Sequence, residues 1–343
     1  MRVLEKEGKS KRIKLDKKDK EILAALCKNA RIPLSKIGNL VGLSREAVEY
    51  RIKRLSDAHV IVGSRTLINI RKLNHFSFHV FISLHNPKDE PGFLRKLKEN
   101  QNVNAVIKYS GKWDFEVSIM TKTPEDFYDI YNELLQDINI QDEHILILLN
   151  TIKGIVLPNK FLEKLPKATL GKNDFSFHKE FNSPKKNDYK IDRTDLKIMR
   201  LLANNANIKI KNIADKVELS PDAITYRIKK LITNGYIVEF RPVIDYYTLN
   251  LSIQALLIKT VCLTKEEERK LSSFLKCNDS VLWCTRTFGA WDVLMYIITS
   301  NQKEFHEFIN ELRTNFGNSI RSYEALFAYQ EYKYTFLPEG INI

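Results

Sequence analysis

The chain has 343 residues, 43 % of them hydrophobic, and carries 55 Lys and Arg against 42 Asp and Glu, a net charge of +13. That length exceeds one ordinary domain, that apolar share excludes a disordered chain, and the excess positive charge points to a polyanionic partner. No apolar run approaches the length of a membrane span, and Cys27, Cys262, Cys277 and Cys284 form no C-x-x-C pair, so free thiols in a reducing cytosol are favoured over disulfides or a metal site.

Residues 1–14 form a basic tail without the apolar stretch of a signal peptide. Such a tail either adds phosphate contacts or merely solubilises. Residues 15–72 predict three helices. Asp16 or Lys17 opens the first, with Ile22, Leu23 and Leu26 on one face. Pro33 lies near the start of the second, where a missing N–H costs little. After the break "VGLS", Ser44 caps a third helix whose Val48, Ile52 and Leu55 make an apolar stripe. Two helices joined by a short turn, the second one basic, form the helix-turn-helix pattern. "VIVGSRTLI" at 60–68 then alternates like a strand and is expected to form a wing.

Residues 73–158 predict the order βαββαβ. "FSFHVFISL" (76–84) is a strand and "DEPGFLRKLKEN" (89–100) a helix. Two strands surround a turn at Ser110–Gly111, "PEDFYDIYNELL" (124–135) is a helix, and "EHILILLNTI" (143–152) is a last strand. That order implies a ferredoxin-like antiparallel sheet with both helices on one face. The other face is also apolar, and a second copy is the obvious cover. A linker, 159–187, follows.

The pattern then repeats. Laid over 191–238, residues 15–62 are identical at 19 of 48 positions, so the chain is internally duplicated. "YRIKRL" (50–55) faces "YRIKKL" (226–231), and "GKWD" (111–114) faces "GAWD" (289–292). Residues 188–248 are a second winged helix-turn-helix, with Ser220 as cap and Pro221 in the first helical position, and 249–343 a second ferredoxin-like domain. The fold class is therefore α+β, in tandem. Net charge follows the repeat: +11 over 1–72, −4 over 73–158, +4 over 159–190, +4 over 191–244 and −2 over 245–343. Sorting of this kind suits two nucleic-acid-binding units.

The Asp-x-x-Asp helix start, "NAR" or "NAN", "LS" and "Y-R-I-K-x-L", all twice and in register, together with G-x-W-D, resemble the Lrp/AsnC family of transcription regulators. The resemblance covers nearly all of the chain except the tail and the linker. It implies a winged helix-turn-helix followed by an αβ effector and oligomerisation domain (the RAM domain), double-stranded DNA as partner, and no enzymatic activity. Family members usually carry one copy and dimerise; here the dimer is written into one chain. Further association through the sheet domains is open.

In the first reading helix Ser44, Arg45 and Glu49 are expected near base edges and Arg51 and Arg54 toward phosphates, with Tyr50 and Lys53 on the same DNA-binding side. In the second, Ser220 and Thr225 match the base-edge set, Arg227 and Lys230 the phosphate set, and Tyr226 and Lys229 complete the DNA-binding side. Tyr50 and Tyr226 could equally pack against the wing. By resemblance Gly111, Trp113, Asp114, Gly289, Trp291 and Asp292 are candidates for a small-effector site, an amino acid being the usual ligand. The alternative is that Asp closes its own turn and Trp fills the core.

No cofactor is implied. His75 and His79 could share a face, but no third metal ligand is evident. Two other readings exist: an architectural DNA-binding protein without effector, and an enzyme, because two-copy siroheme decarboxylases resemble this arrangement. The stretches "VIKYSGKWDFEV" and "CTRTFGAWDVLM" hold no histidine, which argues against it. The expected location is cytoplasmic.

Overall fold

The structure, a computed structural model, describes residues 13–163, 165 and 189–343. Most of the basic tail and of the linker lies outside the described residues. The chain gathers like with like into two compact units: Phe76–Pro158 with Tyr246–Tyr334, and the segments up to His75 and Asp245 with Thr335–Ile343.

In the first unit each copy has the βαββαβ order. Copy 1 has β2 (Phe76–Leu84), α4 (Glu90–Glu99), β3 (Val103–Ser110), β4 (Phe115–Thr121), α5 (Pro124–Leu135) and β5 (Ile140–Gly154). Copy 2 has β7 (Ser252–Thr260), α9 (Lys265–Cys277), β8 (Val281–Gly289), β9 (Val293–Thr299), α10 (Gln302–Phe316) and β10 (Ile320–Tyr334). The strand orders are β5-β2-β4-β3 and β10-β7-β9-β8, the ferredoxin-like arrangement, antiparallel throughout. Capping boxes fix two helix starts: Thr123 with Asp126 for α5, and Thr264 with Glu267 for α9. Phe78, Phe93, Phe115 and Phe127 pack under the copy 1 helices, while Leu256, Leu271, Met295 and Phe308 pack under those of copy 2.

The last strands run longer than their apolar cores predict, and the reason is non-local. β5 pairs with β2 through its first half and with β8 of the other copy through its second; β10 does the same with β7 and β3. Eight strands thereby close one barrel, and no edge is left open.

In the second unit copy 1 contributes α1 (Lys17–Lys28), α2 (Leu34–Val41), α3 (Arg45–Asp57) and β1 (Ile61–Ile68). Copy 2 contributes α6 (Arg193–Asn204), α7 (Ile210–Val217), α8 (Pro221–Thr233) and β6 (Ile237–Ile244). Asp16 and Asp192 form capping boxes with Asp19 and Asp195 at the first helices. The wing takes a form that sequence does not announce. Among the described residues β1 pairs with no strand of its own copy; its backbone groups pair with β6, antiparallel, with Arg65 opposite Arg241. α1 packs on β6 and α6 on β1, each first helix lying against the other copy's strand. Ala30 N–H donates to Phe240 O at 2.8 Å, and Ala206 N–H donates to Ser64 O at 3.2 Å.

Candidate nucleic-acid interface

Ser44 Oγ accepts the Ala47 N–H at 3.2 Å, and Ser220 Oγ accepts the Ala223 N–H at 3.2 Å, so both predicted caps start the reading helices α3 and α8. Val48 and Leu55 are buried in the first, and Ile224, Ile228 and Leu231 in the second. This fixes what faces outward. Ser44, Arg45, Glu46, Glu49, Tyr50 and Lys53 are exposed, as are Ser220, Pro221, Asp222, Tyr226 and Lys229. Tyr50 and Tyr226 are 69 % and 61 % exposed, so neither packs into a wing. Thr225 is half-buried, its hydroxyl donating to Pro221 O at 2.9 Å. Lys230 is half-buried, with Nζ 5.5 Å from the Tyr226 ring centre.

The two arginines inside the repeated hexamers take a different course. Arg51 NH1 lies 2.7 Å from Asp16 Oδ2 and 2.8 Å from Asp19 Oδ1; Arg227 NH1 lies 2.8 Å from Asp192 Oδ2 and 2.9 Å from Asp195 Oδ1. One guanidinium nitrogen thus bridges both carboxylates of a capping box and ties the reading helix to the first helix, in both copies. Arg54 adds a second ion pair to Asp19, whose side chain is fully buried. In copy 2 that role falls to Tyr189, whose hydroxyl donates to Asp195 Oδ2 at 2.9 Å. Burial acts to raise Asp16, but the Arg51 hydrogen bond and the Asp19 amide outweigh it and hold its carboxyl below the ordinary 3.8. Asp192 is lowered the same way, against burial, by the Asp195 amide and Arg227. The bond to Asp16 raises Arg51, and the bond to Asp195 raises Arg227.

The signal for this clamp was present in the sequence, because the Asp-x-x-Asp start and the hexamer arginine recur together at the same separation. Its direction was not, since the arginine's place off the apolar stripe fits an outward or a sideways course.

The G-x-W-D turns lie in the barrel. Gly111 (φ 141°) and Gly289 (φ 131°) occupy conformations that favour glycine. A Cβ on Gly289 would come 2.2 Å from Ile145 O, and one on Gly111 would come 3.0 Å from Leu326 Cδ2. Each glycine therefore lets the other copy's last strand approach. Asp114 Oδ2 accepts the Leu84 N–H at 2.8 Å, and Asp292 Oδ2 accepts the Thr260 N–H at 2.8 Å and its hydroxyl at 3.0 Å. Lys259 Nζ is 3.0 Å from Asp292 Oδ1. Trp113 is fully buried, and Trp291 donates its indole N–H to His144 Nδ1 of the other copy at 3.0 Å. Burial and Lys112 lower His144, which favours the neutral ring that this bond requires. The carboxylates of Asp114 and Asp292 and the indole N–H of Trp291 therefore each have a use in the fold.

His75 Nδ1 lies 2.6 Å from Leu73 O, while His79 meets Glu116, so the two histidines serve separate partners. Among the described residues no three His, Cys, Asp or Glu are gathered where they could hold a metal ion. Among the same residues no helix is long and apolar enough to cross a membrane.

An AsnC-type helix-turn-helix domain matches residues 15–56, and a winged helix-turn-helix DNA-binding domain matches 191–238. The HTH-type transcriptional regulator LrpA of Pyrococcus abyssi is 31 % identical over 125 residues, 36 % of this chain and 89 % of that protein. The regulatory protein AsnC of Escherichia coli is 25 % identical over 147 residues, 42 % of this chain and 97 % of its own. The crystal structure of the siroheme decarboxylase NirDL aligns with a TM-score of 0.60 at 10 % identity, over 92 % of each chain, a likeness of fold in which both copies take part. With two helix-turn-helix units, two antiparallel αβ domains and regulators matched along nearly their whole length, this chain belongs to the Lrp/AsnC family of transcription regulators.

Proposed function

We propose that the chain is a sequence-specific DNA-binding regulator that acts as an intramolecular pseudo-dimer in the cytoplasm. The observation that carries the reading is the pair of clamped helices. α3 and α8 are each locked to their first helix by an arginine, and both belong to one compact unit. In this reading Ser44, Arg45, Glu49, Ser220 and Thr225 meet base edges. Tyr50, Lys53, Tyr226 and Lys229 meet phosphates, with Arg54 and Lys230 at the margin. Arg51 and Arg227 position the helices without touching DNA. The outward residues differ between copies, so the preferred site is non-palindromic, with half-sites one helical turn (about 34 Å) or a multiple apart.

In vitro site selection tests this, followed by salt titration of the selected duplex. Lys53→Ala and Lys229→Ala should each reduce the salt slope by about one, with little change in sequence preference. Recovery of perfectly symmetric sites would count against the pseudo-dimer, and unchanged slopes against the assigned faces.

Modulation by a small effector such as an amino acid belongs to the same reading, at the G-x-W-D turns where the copies meet. The structural duties of Asp114, Asp292 and Trp291 mean that such a ligand would compete with bonds already made. Site selection repeated with and without amino acids measures this. The enzyme alternative has fold likeness in its favour and the histidine-free turns against it; a Soret band on adding siroheme to the purified protein would revive it.

A further inference from the structure

The barrel has two kinds of buried surface. Toward the helices both sheets are apolar. On the opposite face, copy 1 carries a polar cluster around Glu116, which is 1 % exposed. His79 Nδ1 lies 2.6 Å from Glu116 Oε1, and the Tyr109 hydroxyl donates to Oε2 at 2.6 Å. Ser118 Oγ sits 3.0 Å from His79 Nε2. The remaining donor comes from copy 2: the Tyr296 hydroxyl reaches Glu116 Oε1 at 2.6 Å. Trp283, also of copy 2, stacks on Tyr296 at 5.1 Å and lies 6.4 Å from His79.

The duplication makes this asymmetry readable. Register places Ala255 where copy 1 has His79, and Tyr296 where it has Ser118, since His79 pairs with Ser118 and Ala255 with Tyr296. Aligning the G-x-W-D turns places Leu294 where copy 1 has Glu116, and Thr287 where it has Tyr109. A charge, an imidazole and a phenol in one copy thus answer to Leu, Ala and Thr in the other. The positions equivalent to Tyr296 and Glu116 under the repeat are Ser118 and Leu294, whose side chains cannot hydrogen-bond to each other.

We infer that Glu116, His79 and Tyr296 form a heterologous lock that restricts the inner face of copy 1 to copy 2 and excludes pairing of like with like. The inference rests on the pseudo-dimer reading and adds the chemistry that selects the partner. Two copy 1 faces together would bury two Glu116 carboxylates, each without the Tyr296 donor and each facing only the short Ser118. Two copy 2 faces together would place both Tyr296 hydroxyls against Leu294, with no acceptor. Buried charges and hydroxyls that lose their partners are what make such pairings unfavourable, while the unlike pair satisfies Glu116, His79 and Tyr296. Building clashes against the wrong partner is how a face acquires specificity.

The test uses the full chain with a protease site inserted between residues 166 and 187, cleaved after purification, unfolded in urea and refolded. Native mass spectrometry then counts the three pairings of the halves. The uncut parent should bind DNA as the uncut wild type does. From wild type, unlike pairs should exceed like pairs at least about tenfold, the scale of one unpaired buried hydroxyl. Tyr296→Phe keeps the ring and removes the hydroxyl, so copy 2 like pairs should rise about tenfold or more. Glu116→Leu with His79→Ala should release copy 1 like pairs, and the conservative Tyr296→Phe guards against a folding failure in that double variant. Equal like and unlike pairing from wild type, or no rise in like pairs in Tyr296→Phe, overturns the lock and leaves the pseudo-dimer standing. Halves that do not associate at all overturn the pseudo-dimer reading itself.

Discussion

Replacing Arg51 or Arg227 by alanine separates a clamp from a phosphate contact. Asp19 and Asp195 are buried, with side chains 0 % and 1 % exposed, while their arginines are 23 % and 27 % exposed. Removing one partner of a fully buried ion pair costs about 3–5 kcal/mol. Here the arginine is partly solvated, and each carboxylate keeps other donors: Arg54 and the Asp16 amide for Asp19, Tyr189 and the Asp192 amide for Asp195. We therefore expect about 2–3 kcal/mol per variant, at the lower end of what solvent screening allows. In a unit of this size that is a fall in melting temperature of roughly 5–10 °C. Circular dichroism melts give the stability, and fluorescence anisotropy at several salt concentrations, well below the melt, gives the DNA slope. A clamp predicts the loss of stability with the slope unchanged. A variant that melts within a degree of wild type yet binds DNA with a flatter slope would refute the clamp and restore the arginines to the phosphates.

The same carboxylates set an acid dependence. Asp16 and Asp192 are depressed in the folded state, so their stabilisation is complete above the unfolded value near 3.8 and is lost as pH falls through the folded values. Urea midpoints between pH 3 and 6 should drop at the acid end in wild type and less so in Arg51→Ala/Arg227→Ala. His144, also depressed, adds stability above the unfolded value of 6.5 that is lost as pH falls below it, and His144→Gln should remove that dependence. Gly289→Ala should destabilise the barrel by at least about 2 kcal/mol more than Gly111→Ala in urea titration, because its Cβ meets a backbone oxygen whereas that of Gly111 meets a movable leucine methyl. Glu218 ends α7 at φ 60°, where copy 1 has Gly42 at φ 68°, so Glu218→Gly should stabilise by about 0.5–1 kcal/mol in thermal melts.

Local features were legible in the sequence. Ser44 and Ser220 as caps, Pro221 in the first turn and the βαββαβ order all depend on residues a few positions apart. What escaped depends on distant partners. The extent of β5 and β10 is set by β8 and β3 of the other copy, and the pairing of β1 with β6 by a strand 176 positions on. Arg51 needed Asp16 and Asp19 located in space before its course could be read. The G-x-W-D turns were ambiguous for a further reason. The features that suit a ligand, a positive-φ glycine beside an indole and a carboxylate, also suit a close crossing of strands, and the crossing itself is visible only once Ile145 and Leu326 are located in space.

The β1–β6 ribbon has a consequence for how the chain comes into being. On the ribosome β1 emerges long before the strand it pairs with, and α1 emerges long before the surface of β6 that it covers. The first reading head therefore leaves the exit tunnel with an unpaired edge, the kind of edge that recruits other chains. Joining residues so far apart makes closure of the ribbon a late step, since loop closure must be met before the contact is gained. Competence to grip DNA should thus arrive once per polypeptide, only after β6 has emerged, with both heads maturing together.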